Sequence, residues 1–221
     1  MVTGRSRKGN SNSSAWNSPA LSRDQLFAAK REAVLREAAR AFRDNGYHQT
    51  SLVDVARALN VTKPAVYYYF KSKEEILFQC HMFSIDLGEQ VLQEVGFTST
   101  TKTGCERLVT FLGRYIELVT SELGDLTVLS EVDALTEEHR RKVLSRQRQF
   151  DHRFRDLVAA GIADGSIRKV DPKLAVCFFM GPVLTLMRWY RPEGPLSGKQ
   201  VAEAFVDLLV HGLKPRNGVS A

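Results

Sequence analysis

The chain has 221 residues, with 31 Lys and Arg against 25 Asp and Glu and a formal net charge of +6, a balance that favours a polyanionic partner. No run reaches about 18 uninterrupted apolar residues and the N-terminus lacks the apolar stretch of a signal peptide, which argues against a membrane protein and makes the cytoplasm the expected location. Cys80, Cys105 and Cys177 are odd in number and form no C-x-x-C pair, and the five histidines show no metal spacing; with no G-x-S-x-G, P-loop or dinucleotide fingerprint either, no cofactor, metal or catalytic residue is expected.

Residues 1–21 are rich in Ser, Asn and Gly, carry Arg5, Arg7 and Lys8, and are too poor in large apolar residues to fold alone. They read either as a floppy tail or as a basic arm along a DNA minor groove. The first helix starts at Ser22, whose partner Gln25 completes a capping box, and stops at Asn45 and Gly46. Phe27, Val34, Leu35, Ala38 and Phe42 form its inward stripe. A second helix begins at Thr50 or Ser51, where Asp54 completes another box, and its apolar side is Leu52, Val55, Ala56 and Leu59. Asn60 tolerates the left-handed backbone that ends it. Thr62 then caps a short third helix with Lys63 and Pro64 in its first turn.

Two short helices joined by so tight a turn read as a DNA-reading head. On the third helix Val66 and Phe70 face inward, which leaves Lys63, Ala65, Tyr67, Tyr68 and Tyr69 partly or wholly outward. Lys63 can donate to guanine O6 and N7, Ala65 offers a methyl to thymine, and the Tyr67 and Tyr68 hydroxyls can bond phosphate oxygens. Ser72 and Glu75 make a further box, and Lys73 beside that helix start suits a phosphate. The competing reading is a structural helical hairpin whose tyrosines cover the surface.

The run Gly46, Tyr47, Thr50, Ser51, Val55, Ala56, Ala58, Leu59, Val61, Pro64, Tyr67, Tyr69, Phe70, Lys73, Glu74 and Leu77 resembles the N-terminal domain of the TetR (tetracycline-repressor-like) family. The resemblance covers roughly residues 25–80. It implies an all-α fold: an N-terminal three-helix helix-turn-helix domain and a larger C-terminal helical domain for ligand binding and dimerisation. It also implies a homodimeric regulator, usually a repressor, that changes its grip on a palindromic operator in double-stranded DNA when a small molecule binds. The family's DNA contacts carry over to Thr50, Ser51, Thr62, Lys63, Ala65, Tyr67, Tyr68 and Lys73. Tyr69 stands where the family commonly has histidine, which puts a base contact there in doubt.

The body begins with a helix over 72–95 carrying Ile76, Cys80, Phe83, Leu87 and Val91 at helical spacing. Further helices are expected over 102–121 and 125–133, then from Thr136 through Phe150 and Phe154 to Gly165. Asp171 and Pro172 open the next, and the segment from Leu174 to Tyr190 is apolar nearly all round, as in a helix buried on both sides. Ser197 and Gln200 cap a last helix with Val201, Phe205, Leu208 and Leu209. The last two helices suit a homodimer interface of four helices, with burial inside one monomer as the alternative. The resulting domains are 1–21, a basic arm; 22–71, the DNA-binding domain; 72–214, the ligand-binding and dimerisation domain; and 215–221, a tail.

Phe83, Leu87, Phe111, Tyr115, Phe150, Phe154, Phe178, Met187 and Trp189, with Leu126 and Leu129, are candidates to line an effector pocket, the alternative being plain core. Arg188 enters from an apolar helix and needs a partner, either Asp133 or Glu131 or a ligand carboxylate or phosphate. The stretch RWYRPEGPLS is similar to the C-terminal region of TetR-type regulators that sense acyl-CoA thioesters. A small hydrophobic or acyl-CoA-type effector is therefore expected to wedge between body helices, move the helix that starts at Ser72 and change the separation of the two heads. The competing functions are a non-specific architectural DNA binder without ligand and an acyl-CoA-acting enzyme.

Overall fold

The computed structural model describes residues 22–97, 102–121 and 131–211, and every regular element among them is helical. The chain divides into two compact units, Met1–Ile76 and Leu77–Ala221.

The first unit holds α1 (Arg23–Asn45), α2 (Leu52–Ala58), α3 (Lys63–Tyr69) and the first turn of α4 (Lys73–Phe97). Reciprocal Ser22 and Gln25 hydrogen bonds start α1 at 3.2 and 2.9 Å, satisfying two backbone donors that have no intrahelical partner. The helix stops where Gly46 takes φ 84°, a conformation that a Cβ disfavours. Ser51 and Asp54 repeat the box at α2. Asn60 adopts φ 56°, and the Val61 N–H donates to Ala56 O at 2.9 Å, closing the turn into α3.

Two caps differ from expectation. Thr62 occupies the N-cap of α3 but makes no side-chain capping bond; Pro64, with its fixed φ, pre-organises that turn instead. At α4 the Ser72 Oγ accepts from Glu75 N at 3.0 Å, yet the Glu75 carboxylate accepts from Lys71 N at 2.8 Å. It reaches one residue further back than a capping box requires. Val34, Ala38, Phe42, Leu52, Val55, Ala56, Val66 and Phe70 are buried; removing such apolar side chains from water contributes about 1.5–3 kcal/mol each. Phe27 departs from its predicted stripe, being 40% exposed. Its ring packs edge-on to Tyr68 at 5.7 Å and beside Tyr69 at 5.1 Å.

The second unit holds the rest of α4, then α5 (Gly104–Val119), a 3-10 turn at Val132–Ala134, α6 (Glu137–Ala163), α7 (Pro172–Trp189) and α8 (Gly198–His211). The expected helix over 125–133 lies mostly outside the described residues, as do Leu126 and Leu129. Thr103 with Glu106, Thr136 and Asp171 cap α5, α6 and α7. Packing runs α5 against α6 and α8, and α6 against α7. At the start of α5 a Cβ on Gly104 would lie 2.2 Å from the Gly161 backbone, so the α5–α6 crossing closes only because neither residue has a side chain. On α4 a Cβ at Gly88 would stand 2.8 Å from the tip of the Phe150 ring.

The double burial expected of α7 is corrected for the single chain. Ala175, Val176, Val183 and Leu186 are buried, whereas Leu174, Phe178 and Leu184 are 64%, 59% and 40% exposed. Residues four apart lie on one side of a helix, so Leu174 and Phe178 form an exposed apolar edge, and Leu184, six residues beyond Phe178, is exposed on a different side. No helix among the described residues is long and apolar enough to cross a membrane.

Candidate functional site

The outer surface of α3 carries the predicted DNA-reading residues. Thr62 and Lys63 are exposed and Ala65 is half-buried, while Tyr67 and Tyr68 are 43% and 69% exposed. Val66 and Phe70 anchor the other side. The Lys63 Nζ lies 5.5 Å from the centre of the Tyr67 ring, a cation–π distance that keeps the long side chain near the helix surface. Ser51 spends its Oγ on Asp54, accepting from its N–H at 3.2 Å and donating to Oδ2 at 2.5 Å. The Ser51 hydroxyl and then its backbone N–H hold the Asp54 carboxyl below its ordinary value.

Thr50 and Lys73 both bond backbone oxygens of their own domain. Thr50 is buried, its hydroxyl 3.0 Å from Ala41 O and 2.9 Å from Gly46 O, so it fastens the loop before α2 to the end of α1. The Lys73 ammonium donates to Tyr47 O at 2.7 Å and Thr50 O at 3.0 Å, and sits 4.2 Å from the centre of the Tyr47 ring. Partial burial pushes the Lys73 pKa down. Both side chains thus spend polar groups on backbone oxygens that set the entry angle of α2. Sequence reasoning missed Phe27 as a prop for the tyrosine face, because its helical spacing from Val34 and Leu35 reads as core; only its place near the N-terminal end of α1 sets it apart.

In the second unit the predicted pocket residues separate into three groups. Leu87, Phe111, Tyr115 and Phe154 are buried, with Phe83 and Phe150 packed against them. Phe111 lies 4.6 Å from Phe154 and 5.6 Å from Tyr115, centre to centre. Burial raises the Tyr115 phenol to about 12. The rings pack on one another within the buried apolar cluster. Phe178 and Trp189 are 59% and 49% exposed, and Trp189 stacks on Phe205 at 6.1 Å. The side chains of Met187 and Arg188 lie outside the described residues. Asp133, a candidate partner for Arg188, is 3.4 Å from Arg140.

A cleft of about 660 Å³ opens between the start of α5, the loop into α7 and the end of α8; Leu108, Ile167, Leu174, Phe178 and Leu208 line it, with Arg168 and His211. Its size is within the range of about 300–1,000 Å³ usual for small-molecule sites. Among the described residues no group of His, Cys, Asp and Glu could hold a metal ion.

Residues 34–80 match the family described as "Bacterial regulatory proteins, tetR family", and residues 101–213 match "Tetracyclin repressor-like, C-terminal domain". The HTH-type transcriptional repressor KstR2 of Mycolicibacterium smegmatis is 28% identical over 215 residues, covering 86% of this chain and 94% of that protein. Among solved structures, AibR in complex with isovaleryl coenzyme A and operator DNA is 32% identical with a TM-score of 0.68, covering 80% of this chain and 96% of that one. PfmR from Thermus thermophilus, a TetR family transcriptional regulator, is 28% identical with a TM-score of 0.71, covering 85% and 98%.

Proposed function

The chain belongs to the tetR family of bacterial regulatory proteins, and from that premise we propose that it is a ligand-responsive repressor that binds a palindromic operator as a homodimer in the cytoplasm. The observation that carries this reading is the surface of α3: seven residues bury only Val66 fully and turn Lys63, Tyr67 and Tyr68 to solvent. The Lys63 ammonium and the Tyr67 and Tyr68 hydroxyls contribute little to holding so short a helix, whereas a major groove offers base edges to the first and phosphates to the others. Lys63, Thr62 and Ala65 read bases, Tyr67, Tyr68 and the Ser51 end of α2 meet the backbone, and Thr50 and Lys73 hold the α2 entry behind them.

The exposed large apolar side chains Leu174, Phe178 and Leu184 on α7 support dimerisation through α7 and α8. A twofold axis there sets two heads on half-sites roughly 34–36 Å apart. The effector is a small hydrophobic molecule of the acyl-CoA type, supported by the likeness to AibR, whose structure holds isovaleryl coenzyme A and operator DNA. Helix α4 belongs to both units and so carries the signal, and a coupling of about 1–3 kcal/mol changes operator affinity several-fold to a hundredfold. No catalytic step is part of this reading.

Selection on random duplex DNA at physiological salt, with and without a panel of acyl-CoA esters, tests it. One enriched palindrome that is lost on adding a thioester is the expected result. Salt-sensitive binding with no enriched sequence would overturn it in favour of a non-specific binder.

A further inference from the structure

A second, smaller cleft lies where the end of α4, the start of α5 and the last third of α6 meet. It has a volume of about 240 Å³ and is lined by Leu92, Gly96, Arg107, Arg153, Asp156 and Leu157, among others. A Cβ on Gly96 would meet nothing within 4 Å, so α4 leaves this side of the cleft open. The Nε of Arg107 is buried there and has no hydrogen-bond partner among the described residues. A guanidinium stays charged at every physiological pH, and a buried donor without an acceptor is destabilising. Such a group calls for an acceptor.

The cleft's own residues do not supply one. Arg153 is paired with Glu89 through one arm of its fork. Asp156 is exposed and no ion pair joins it to Arg107 among the described residues; water screens its charge at the rim. The remaining walls are apolar. Two guanidinium groups that line one cleft beside apolar walls suit a planar or tetrahedral oxyanion, which accepts parallel N–H bonds from such forks. The volume lies below the range of about 300–1,000 Å³ usual for whole ligands, so the cleft suits one end group.

We propose that Arg107 and Arg153 form an oxyanion subsite that grips the phosphate or carboxylate end of the small-molecule effector, at the end of α4. The assignment rests on the effector reading above. The cleft then does more than hold a charge. An anion drawn between α5 and α6 beside Gly96 fixes the end of α4, the helix that also enters the DNA-binding unit. Asp156 opposes the anion from the rim and sets its affinity.

The test is calorimetric titration of the full-length protein with inorganic phosphate and, separately, with coenzyme A, at ionic strength held constant with chloride. Saturable binding of both is expected, with coenzyme A the tighter. Arg107→Met should weaken each by tenfold or more, and Arg107→Lys should recover part of the loss. Asp156→Asn should tighten binding severalfold, whereas a carboxylate that stabilises Arg107 in the folded protein predicts a lower melting temperature and no gain. The Asp156 variant keeps the outcome readable if Arg107→Met does not fold. Absence of saturable binding to the parent, or equal binding by parent and Arg107→Met, overturns the subsite. Equal affinity for phosphate and coenzyme A overturns its assignment to an ester-bearing effector. Operator selection run in parallel separates the two readings: a palindrome recovered without any anion response sinks the cleft alone, and an anion response without a palindrome sinks the regulator.

Discussion

The ammonium of Lys73, at the start of α4, donates to the carbonyl oxygen of Tyr47 at 2.7 Å across 26 residues of chain. It thereby ties the opening of α4 to the loop that leads into α2, and its second bond, to Thr50 O at 3.0 Å, fixes the residue before the α2 cap.

Lys73→Met should therefore cost stability. Leaving the carbonyl oxygen of the buried Thr50 without its Lys73 partner costs about 1–3 kcal/mol, read by denaturant unfolding of the purified protein. Operator affinity should fall for every sequence while its salt dependence stays the same. A variant of normal stability whose log–log salt slope drops by about one unit would instead return Lys73 to a phosphate contact.

Lys63 and Tyr68 should separate by what they read. Lys63→Ala is expected to remove about 1–3 kcal/mol of discrimination at one base pair of each half-site. Tyr68→Phe, which loses a hydroxyl but keeps the ring against Phe27, should weaken all duplexes about equally. Competition binding with single-substitution operators checks both, and an unchanged preference in Lys63→Ala would falsify the assignment of base reading to that residue.

Phe178→Asp should dissociate the dimer. The side chain is 59% exposed in one chain, so a monomer tolerates a carboxylate there, but an interface that buries it faces several kcal/mol of unpaired charge. Sedimentation should show a monomer of native helicity that no longer holds the palindrome. A stable dimer would move the interface away from α7.

Acid should unfasten the α5–α6 junction. Asp164 receives hydrogen bonds from Ser166 and, at 2.7 Å, from Gly104 N, and these, the Ser166 side chain first, hold its carboxyl below the ordinary value of 3.8. Its folded-state pKa lies below the unfolded one, so the stabilisation is complete above about pH 3.8 and is lost as pH falls through the lower folded value. Thermal melts of Asp164→Asn should accordingly lose less on acidification over that window than the parent. Parallel curves for the two proteins would remove Asp164 from the acid response.

The helix boundaries were legible because the signals are local. Ser22 with Gln25 and Ser51 with Asp54 are reciprocal pairs three residues apart, and Asn60 and Gly46 mark stops by their backbone tolerance. What escaped reading depends on partners distant in sequence. Phe27 has the spacing of a core residue and becomes a prop only because α3 passes over the end of α1. The Lys73 ammonium suits a phosphate on local grounds, and nothing near it in sequence shows that Tyr47 and Thr50 offer oxygens. The aromatic residues Phe111, Tyr115 and Phe154 have one spacing whether they fill a core or line a void. Arg107 gave no signal either, because an unpaired donor is a property of the space around it.

The contact between Gly88 and the Phe150 ring gives α4 a mechanical character. A helix usually locks to its neighbour by interdigitated side chains, but here the ring tip rests on bare backbone, so any side chain at position 88 would have to displace Phe150 and with it the seat of α6 on α4.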